Sequence, residues 1–347
     1  MMFKRAGKIR SSLLMAKINL IKECRTIGGH FSAFLETRQN PLPGQFSYES
    51  ARSGLYAVLK AANCQRIFIP YYVCDAVPNA IRAASCALDY YSINEAFEVD
   101  EPLNLEEGDL ILLVNYYGVC RTQIENQLKR FPASSVIVDC SQAYFQAPFD
   151  CLATIYSPRK FLPVPDGGVV HTGLDLEVVK PDEQTSFERY KYLLKRVTGE
   201  PEASRKVYLE SEAQLEVPSL RGMSAFTRKL IEVADQDFIQ VRRARNWEAL
   251  VELDKENKLS FDLAGQTPIC YPFMVEGAEQ LRDELRKKRV LTPLYWSGVT
   301  CTNQHEVALV RNTLYLPIDH RYDESDMARL ITFFKENSVI LSRRDYG

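Results

Sequence analysis

The amino-acid sequence predicts an α/β protein, in which a mostly parallel central sheet is sandwiched by helices and a smaller α+β domain follows at the C-terminal end. Between residues 50 and 172, short continuous apolar runs alternate with stretches of helical spacing. Continuous apolar runs are typical of parallel strands buried on both faces, and the intervening helices supply the crossovers. After Pro181 the sequence becomes charged and helix-rich, and strand-like runs return only near residue 269.

We divide the chain into three predicted parts. Residues 1–45 form an N-terminal arm that ends in the turn-forming run 40–44, Asn-Pro-Leu-Pro-Gly. Residues 46–240 form the large domain, and residues 241–347 form the small domain. A chain of 347 residues has room for two domains, since a domain averages about 150 residues.

The predicted elements of the large domain follow in chain order. Residues 50–62 are expected to form the first helix, because their apolar residues recur at helical spacing. Further helices are predicted at residues 76–84 and 122–130, and helix-rich sequence covers 223–253. Strands are predicted at residues 66–70, 87–92, 110–115, 135–139, 153–157 and 168–172.

The small domain has its own order of elements. A strand at residues 269–275, a helix at 278–288 and a second strand at 290–295 are predicted first. A strand at 313–316 and a helix at 324–335 complete it.

The composition excludes several classes of protein. The chain is 46% apolar and 25% charged, values typical of a folded globular protein rather than a disordered one. Its 43 basic and 45 acidic residues give a net charge of −2, which argues against a protein that tracks nucleic acid or an anionic membrane. We therefore expect neither nucleic acid nor membrane as a partner.

The N-terminal sequence and the cysteines bear on location. Lys17 and Lys22 interrupt the apolar residues near the N-terminus, so no signal peptide is expected, and no apolar run is long enough to span a bilayer. Nine cysteines, with no closely spaced pair, predict reduced thiols. We accordingly place the protein in the cytoplasm.

Several common sites are missing from the sequence. No two glycines stand two residues apart, which excludes the dinucleotide-binding fingerprint, and neither a phosphate-binding P-loop nor a Gly-x-Ser-x-Gly elbow is found. The four histidines do not pair at helical spacing, so no metal site is expected.

One segment carries residues suited to cofactor chemistry. Asp139 ends a predicted strand, and Lys160 follows the next one, so both are expected at the sheet edge where α/β proteins bind ligands. An aspartate that keeps a pyridine nitrogen protonated, and a lysine that forms a Schiff base, suit pyridoxal 5′-phosphate (PLP). Gly167 and Gly168 permit a tight turn and close backbone approach. From these residues alone, an ordinary strand-end aspartate and a surface lysine remain the commoner alternative.

The segment resembles the DegT/StrS-type sugar aminotransferases, a family of fold-type-I PLP-dependent enzymes. The family pattern is Asp-x-x-Gln-Ala, then a Schiff-base lysine, then Gly-Gly seven residues later, and Asp139, Gln142, Lys160 and Gly167 meet these spacings. The resemblance covers about residues 28–336. Further similar segments lie at residues 50–55, 67–70, 114–118, 271–272, 291–296, 316–319 and 323–330.

The resemblance implies roles for individual residues. Lys160 corresponds to the Schiff-base lysine, Asp139 to the partner of the pyridine nitrogen, and Gln142 to a contact of the cofactor ring near its phenolic oxygen. The cofactor phosphate would be held by Ser157 and by the N-terminus of the first helix, at Ala51, Arg52 and Ser53.

Aromatic residues are expected on either side of the cofactor. Tyr72 is the candidate for stacking on its ring, with core packing as the open alternative. Tyr295 and Trp296 lie in a stretch that resembles the substrate-facing loop of the family.

The sequence also departs from the family pattern. Ala51 and Arg52 stand where the family has Gly-Thr at the phosphate, and the asparagine of a loop that reaches the partner subunit is missing from residues 219–224. Arg52 either holds the phosphate directly or pairs with a carboxylate such as Glu49.

The function implied by the resemblance is that of a homodimeric, PLP-dependent aminotransferase. It would move an amino group from an amino acid, with glutamate as the expected donor, to a nucleotide-linked keto sugar, as in polysaccharide biosynthesis. The N-terminal arm or residues 221–224 would contribute to the dimer interface. Two alternatives stay open: a PLP enzyme acting on another amino or keto substrate, and a non-catalytic binding or regulatory protein.

Overall fold

A seven-stranded sheet organises the computed structural model, which describes residues 40–199, 201–296, 298–301 and 303–337. Its strands, in chain order, are β1 (Phe46–Tyr48), β2 (Arg66–Pro70), β3 (Ala87–Tyr91), β4 (Asp109–Val114), β5 (Val136–Cys140), β6 (Ala153–Tyr156) and β7 (Gly168–Thr172). A separate two-stranded antiparallel sheet pairs β8 (Tyr271–Met274) with β9 (Thr313–Leu316).

Three helices of the described residues lie between β1 and β2, between β2 and β3, and between β4 and β5, and the others follow β7. In chain order the helices are α1 (Ala51–Ala61), α2 (Ala76–Ala83), α3 (Arg121–Leu128), α4 (Glu183–Val197), α5 (Pro201–Gln214), α6 (Ala225–Val233), α7 (Gln236–Leu250), α8 (Ala278–Lys287), α9 (Gln304–Asn312) and α10 (Glu324–Glu336). The predicted helices at 50–62, 76–84, 122–130, 278–288 and 324–335 are therefore confirmed to within two residues at each end.

The large sheet has the strand order β1-β7-β6-β5-β4-β2-β3. Strands β3, β2, β4, β5 and β6 are parallel, whereas β7 is antiparallel to both β6 and β1. The mostly parallel sheet that the sequence predicts is thus confirmed, with an antiparallel pair added at one side.

The central strands form the core of this sheet. All six residues of β4 and all four of β6 are buried, and Ile137 and Val138 of β5 are fully buried. Strands covered on both faces need apolar residues on both faces, which explains why these runs are continuous rather than alternating.

The pairing register brings the ends of three strands to one side of the sheet. Asp139 of β5 pairs with Ile155 of β6, and Cys140 pairs with Tyr156, so these strands end at the same edge. Because β7 is antiparallel to β6, Gly168 begins β7 at that edge. Residues at the ends of β5 and β6 and at the start of β7 therefore share one side of the sheet.

The small sheet carries the C-terminal part of the core. Phe273 of β8 packs against Phe334 of α10, with ring centroids 4.9 Å apart, and both are buried. The strands predicted at 269–275 and 313–316 are confirmed as β8 and β9.

The strand predicted at residues 290–295 is wrong, because this segment is irregular. Pro293 cannot donate a ladder hydrogen bond. Arg289, just before the segment, has a left-handed backbone with φ of 60°, and Leu291 and Leu294 are exposed. The short edge strand β1 and the helix α9 were not predicted from the sequence.

The cysteines correct a second expectation. Cys64 and Cys86 form a disulfide, so the prediction of reduced thiols is wrong for this pair. Each precedes one of two neighbouring parallel strands, β2 and β3, and the register Arg66 opposite Ala87 places them side by side. Spacing along the chain does not show this proximity, which arises only from strand pairing.

The predicted N-terminal arm and the predicted domain boundary stay predictions. Residues 1–39 of the predicted N-terminal arm lie outside the described residues, and the boundary between residues 240 and 241 stays a prediction. Within the described ranges, no helix is both long and apolar enough to cross a bilayer.

Candidate active site

A small cavity lies at the edge of the large sheet where β5 and β6 end. Its volume is about 150 Å³, and its walls include Asp139, Ser157, Lys160 and the start of α1 at Ala51 and Arg52. Asp139 reaches it from the end of β5, and Lys160 from a 3₁₀ turn that follows β6. The structure therefore brings Asp139 and Lys160 to one cavity, as the sequence predicts.

Asp139 is held in a fixed position. It is half-buried, and its Oδ1 accepts a hydrogen bond of 2.7 Å from the backbone N–H of Ser141. The bond orients the carboxylate at the strand end, which suits a group that must face a bound ring.

Lys160 is exposed and lines two cavities. Its backbone N–H donates to the carbonyl oxygen of Ser157 at 3.3 Å, which closes the 3₁₀ turn. Lys160 therefore forms part of the wall of the small cavity and of the larger one next to it.

The two glycines after Asp166 hold the start of α1 against the sheet edge. Gly167 has a φ of 126°, and its N–H donates to the carbonyl of Glu49 at 2.8 Å. A Cβ on Gly168 would lie 2.1 Å from the carbonyl carbon of Ser50, a distance that no side chain tolerates. The expected tight turn and close backbone approach are both present.

The hydroxyls at the start of α1 serve the helix itself. Ser50 caps α1 by accepting from the N–H of Ser53 at 3.1 Å. Ser53 is buried, and its hydroxyl accepts from Ser50 and from the N–H of Ser219. Unlike Ala51 and Arg52, Ser53 is not among the residues that line the small cavity.

Arg52 does not pair with Glu49, so that alternative is wrong. Glu49 instead forms a buried ion pair with Arg189 at 3.3 Å and accepts from the hydroxyl of Ser219 at 2.6 Å. The guanidinium of Arg52 donates to the carbonyl of Leu215, just after α5. Its Nε is buried without a hydrogen-bond partner among the described residues.

Arg159 is a site residue that was not predicted from the sequence. It lines the small cavity beside Lys160, and its side chain is only 14% exposed. It forms an ion pair with Glu212 of α5, while its Nε is buried and has no partner within the described ranges. Its place next to Lys160 in the sequence was the one available signal.

A second, larger cavity of about 1070 Å³ adjoins the first and shares Cys74, Arg159 and Lys160 with it. Its walls carry more basic than acidic side chains. The basic residues are Arg159, Lys160, Arg196, Arg243, Lys288, Arg289, Arg321 and Arg329, and the acidic ones are Asp319, Asp326 and Glu336. This charge distribution favours an anionic ligand.

Gln142 lines the larger cavity and is firmly oriented. Its Oε1 accepts from the backbone N–H of Tyr117 at 2.8 Å. Gly118, which follows Tyr117, has a φ of 79°. A Cβ at this glycine would lie 2.4 Å from the carbonyl oxygen of Gln142, so the backbones of the two residues are in close contact. A contact between Gln142 and a cofactor ring stays a prediction.

Tyr72 lies in a buried tyrosine cluster. Its hydroxyl is bonded to the hydroxyls of Tyr117 at 2.9 Å and Tyr315 at 2.6 Å, and its ring stacks on Tyr116. It is fully buried and is not among the residues lining either cavity, a placement that favours the core-packing alternative. Burial raises the pKa of Tyr72 well above its ordinary value.

Tyr295 and Trp296 both line the larger cavity. The ring of Tyr295 lies 4.2 Å from that of Tyr315, and Trp296 meets Tyr72 edge-on at 4.5 Å. The tyrosine cluster thus supports the aromatic wall of this cavity from behind.

Comparison with known proteins finds similarity in fold but not in sequence. No family model matches the sequence, and no curated protein is significantly similar to it. Several solved structures are similar, at low identity and across most of both chains.

One is the sugar aminotransferase CalS13 from Micromonospora echinospora, with a TM-score of 0.59 and 15% identity over 84% of this chain and 86% of that one. A DegT DnrJ EryC1 StrS aminotransferase from Brucella abortus has a TM-score of 0.59 and 12% identity over 98% of each chain. DesI, solved in the presence of its TDP-sugar product, has a TM-score of 0.58 and 15% identity over 84% of this chain and 79% of that one. The chain therefore has the fold-type-I fold that these aminotransferases share.

Proposed function

We propose that this chain, which has the fold of the DegT/StrS-type sugar aminotransferases, is a PLP-dependent aminotransferase that acts on a nucleotide-linked keto sugar. The observation that carries the proposal is the small cavity, which joins Asp139 and Lys160 to a pair of arginines, Arg52 and Arg159. A fold supports many functions, and it is these residues, more than the architecture, that support this one.

The residues of the small cavity fit PLP. The cofactor carries a phosphate dianion, and two buried guanidinium Nε atoms, on Arg52 and Arg159, have no partner among the described residues. Arg52, Arg159 and Ser157 would hold the phosphate, Asp139 the ring nitrogen and Lys160 the aldehyde carbon. Bound PLP supplies a ring that accepts electrons from the carbon attached to the amino group.

The protein's own residues then hold and move protons. Asp139, fixed by the Ser141 amide, keeps a proton on the pyridine nitrogen. Lys160, exposed to both cavities, takes the proton that leaves the α-carbon of the amino donor and returns one in the second half-reaction. Glutamate is the donor that we propose.

The larger cavity supports a nucleotide-linked sugar as acceptor. Its excess of basic residues suits a diphosphate, and the aromatic wall of Tyr295 and Trp296 suits stacking on a base or sugar. The similar protein DesI was solved in the presence of a TDP-sugar product.

We also propose that the protein works as a homodimer in the cytoplasm, a location that now rests on the six free cysteines of the described residues and not on the paired Cys64 and Cys86. Apolar side chains are exposed on α4 and on α5, the helix whose Glu212 lines the small cavity. An exposed apolar patch of this kind marks an interaction surface. The exposed residues are Phe187, Leu194, Val197, Tyr208 and Leu209.

Cofactor attachment tests the proposal first. We expect PLP to bind, and borohydride reduction followed by peptide mass spectrometry to place the label on Lys160. Lys160→Ala is the control and should lose the label. Labelling elsewhere, or none at saturating PLP, would favour the non-catalytic alternative.

Turnover tests it second. Asp139→Asn should keep PLP but lose most activity, because an unprotonated pyridine accepts electrons poorly. The assay would incubate the aminated form of the cofactor on the enzyme with a panel of nucleotide-linked keto sugars and follow the return of PLP absorbance. Activity only with simple keto acids would contradict the sugar assignment.

A further inference from the structure

We infer that the end of α5 occupies an anion site formed by Arg52 and Arg159, and that a phosphate monoester replaces it there. The inference rests on the proposed function in that the phosphate is assigned to PLP. It adds an internal competitor: the carboxylate of Glu212 and the carbonyl of Leu215 hold the two arginines when no phosphate is bound.

The contacts are specific. Glu212 forms an ion pair with Arg159, and the carbonyl of Leu215 accepts from Arg52. All four of these residues line the small cavity with Lys160. The two acceptors come from one short stretch of chain, so a single movement of that stretch would release both arginines.

The present contacts leave the arginines incompletely paired. Each guanidinium offers five N–H donors, and the Nε atom of each is buried without a partner among the described residues. A buried unpaired donor is unfavourable, whereas a phosphate offers several oxygens and forms strong bonds with arginine. Phosphate therefore satisfies this pair of arginines better than one carboxylate and one carbonyl do.

The end of α5, which holds the arginines, carries negative charge that its own helix does not balance. The last carbonyls of a helix lack intrahelical partners and carry partial negative charge. Glu212 adds a full negative charge at the end of α5, and the last turn of α5 contains no basic residue. This helix end thus resembles an anion, and the arginines act as its counter-ions.

Release of Glu212 has a modest cost. Its side chain is 33% exposed, so water can solvate the carboxylate once it leaves Arg159. The arginine would remain in the cavity, because its own side chain is largely buried. The exchange therefore moves the acidic partner and leaves the basic one in place.

Cavity size indicates which phosphate enters. The shared chemistry is that of a phosphate group, which both PLP and the diphosphate of a sugar nucleotide carry. The small cavity has a volume of about 150 Å³ and contains Asp139 at the edge of the sheet, whereas the adjoining cavity has about 1070 Å³. The small one suits the monoester of a compact cofactor.

Two substitutions with opposite expected effects test the inference. Arg159→Gln should weaken PLP binding about tenfold, because one charge-assisted contact is lost. Glu212→Ala should tighten PLP binding about threefold or more, because the competitor is removed. The dissociation constant would be measured by absorbance titration of the cofactor-free, full-length protein, and thermal unfolding would check that each variant folds.

Matched controls accompany both variants. Glu210→Ala and Arg205→Gln alter exposed residues of α5 that do not line the small cavity, and should leave PLP affinity unchanged. Pyridoxal, which lacks the phosphate, should react with Lys160 equally well in the wild type and in both test variants.

The outcomes separate the inference from the proposed function. If Glu212→Ala weakens PLP binding or leaves it unchanged, the Arg159–Glu212 pair is only structural and the inference is wrong, even where Lys160 is labelled. If the variants change affinity for a nucleoside diphosphate but not for PLP, the site takes the substrate's phosphates, which also overturns it. If Lys160 is not labelled but Glu212→Ala still tightens binding of inorganic phosphate, the proposed function fails and the anion site stands.

Discussion

At the scale of single residues, Gly168 connects the sheet to the site. A side chain at this position would lie within 2.3 Å of the backbone of Ser50 and Ala51. Only glycine therefore allows β7 to approach the first turn of α1, where Arg52 reaches the small cavity. The absence of a Cβ on Gly168 therefore sets the distance between α1 and the sheet edge.

We predict that Gly168→Ala displaces the start of α1. The added Cβ forces backbone apart, and overpacking of this kind costs about 1–3 kcal/mol. Denaturant unfolding should show that loss, and PLP titration should show weaker binding. Gly173→Ala is the matched control, since a Cβ there meets nothing within 4 Å. Equal effects of the two substitutions would refute the role of Gly168.

Sequence reasoning found some site residues and missed others for a physical reason. Asp139 and Lys160 could be predicted because each follows a strand, and parallel strands end at one edge. Arg159 and Glu212 could not, since their pairing depends on where α5 packs. Nor could the bond from Arg52 to Leu215 be foreseen, as the two are separated by 163 residues.

At the scale of elements, the central strands of the large sheet, such as β4 and β6, were predictable because burial on both faces demands uninterrupted apolar runs. The edge strand β1, with three residues, has no such run. The segment 290–295 is apolar for another reason: its Tyr295, together with the following Trp296, lines a cavity wall rather than a sheet. Apolar character alone does not distinguish these uses.

The pairing of β2 with β3 yields a second prediction, the Cys64–Cys86 disulfide. Thiol titration of the denatured protein, purified without reductant, should find two fewer thiols than after reduction. Reduction should also lower the free energy of unfolding by about 2–4 kcal/mol, the usual range for such a bond.

Two serine variants supply the control for this experiment. Cys64→Ser should remove the response of stability to reductant, whereas Cys301→Ser, at a free cysteine, should keep it. Identical thiol counts before and after reduction would show that the bond does not form in the cellular environment of the protein.

At the scale of the whole molecule, two packed helices, α4 and α5, present apolar residues to solvent. Helices α4 and α5 pack together through Tyr192 and Tyr208, with ring centroids 5.3 Å apart. Leu194 and Leu209, on the same two helices, are more than half exposed. The proposed dimer would cover this surface.

We predict that the double variant Leu194→Glu/Leu209→Glu shifts the proposed dimer to a monomer, because like charges would face each other across a two-fold interface. Sedimentation velocity at micromolar concentration is the measurement. Val251→Glu, which alters an exposed apolar residue outside these helices, is the control and should remain dimeric. A wild-type monomer would contradict the proposed assembly.

The tyrosine cluster contains more hydroxyl protons than mutual hydrogen bonds. Tyr72, Tyr117 and Tyr315 bring three protons, and burial keeps them neutral by raising the pKa of Tyr315 to about 12 and those of the others further. Their two mutual hydrogen bonds use two protons. If the third proton were on Tyr72 or Tyr117, it would be a buried hydrogen-bond donor without an acceptor. Such a donor lowers the stability of the fold by about 1–3 kcal/mol. Tyr315 is the member of this trio that also lines the larger cavity, so a polarity that runs from Tyr117 through Tyr72 would leave the hydrogen of Tyr315 beside that cavity.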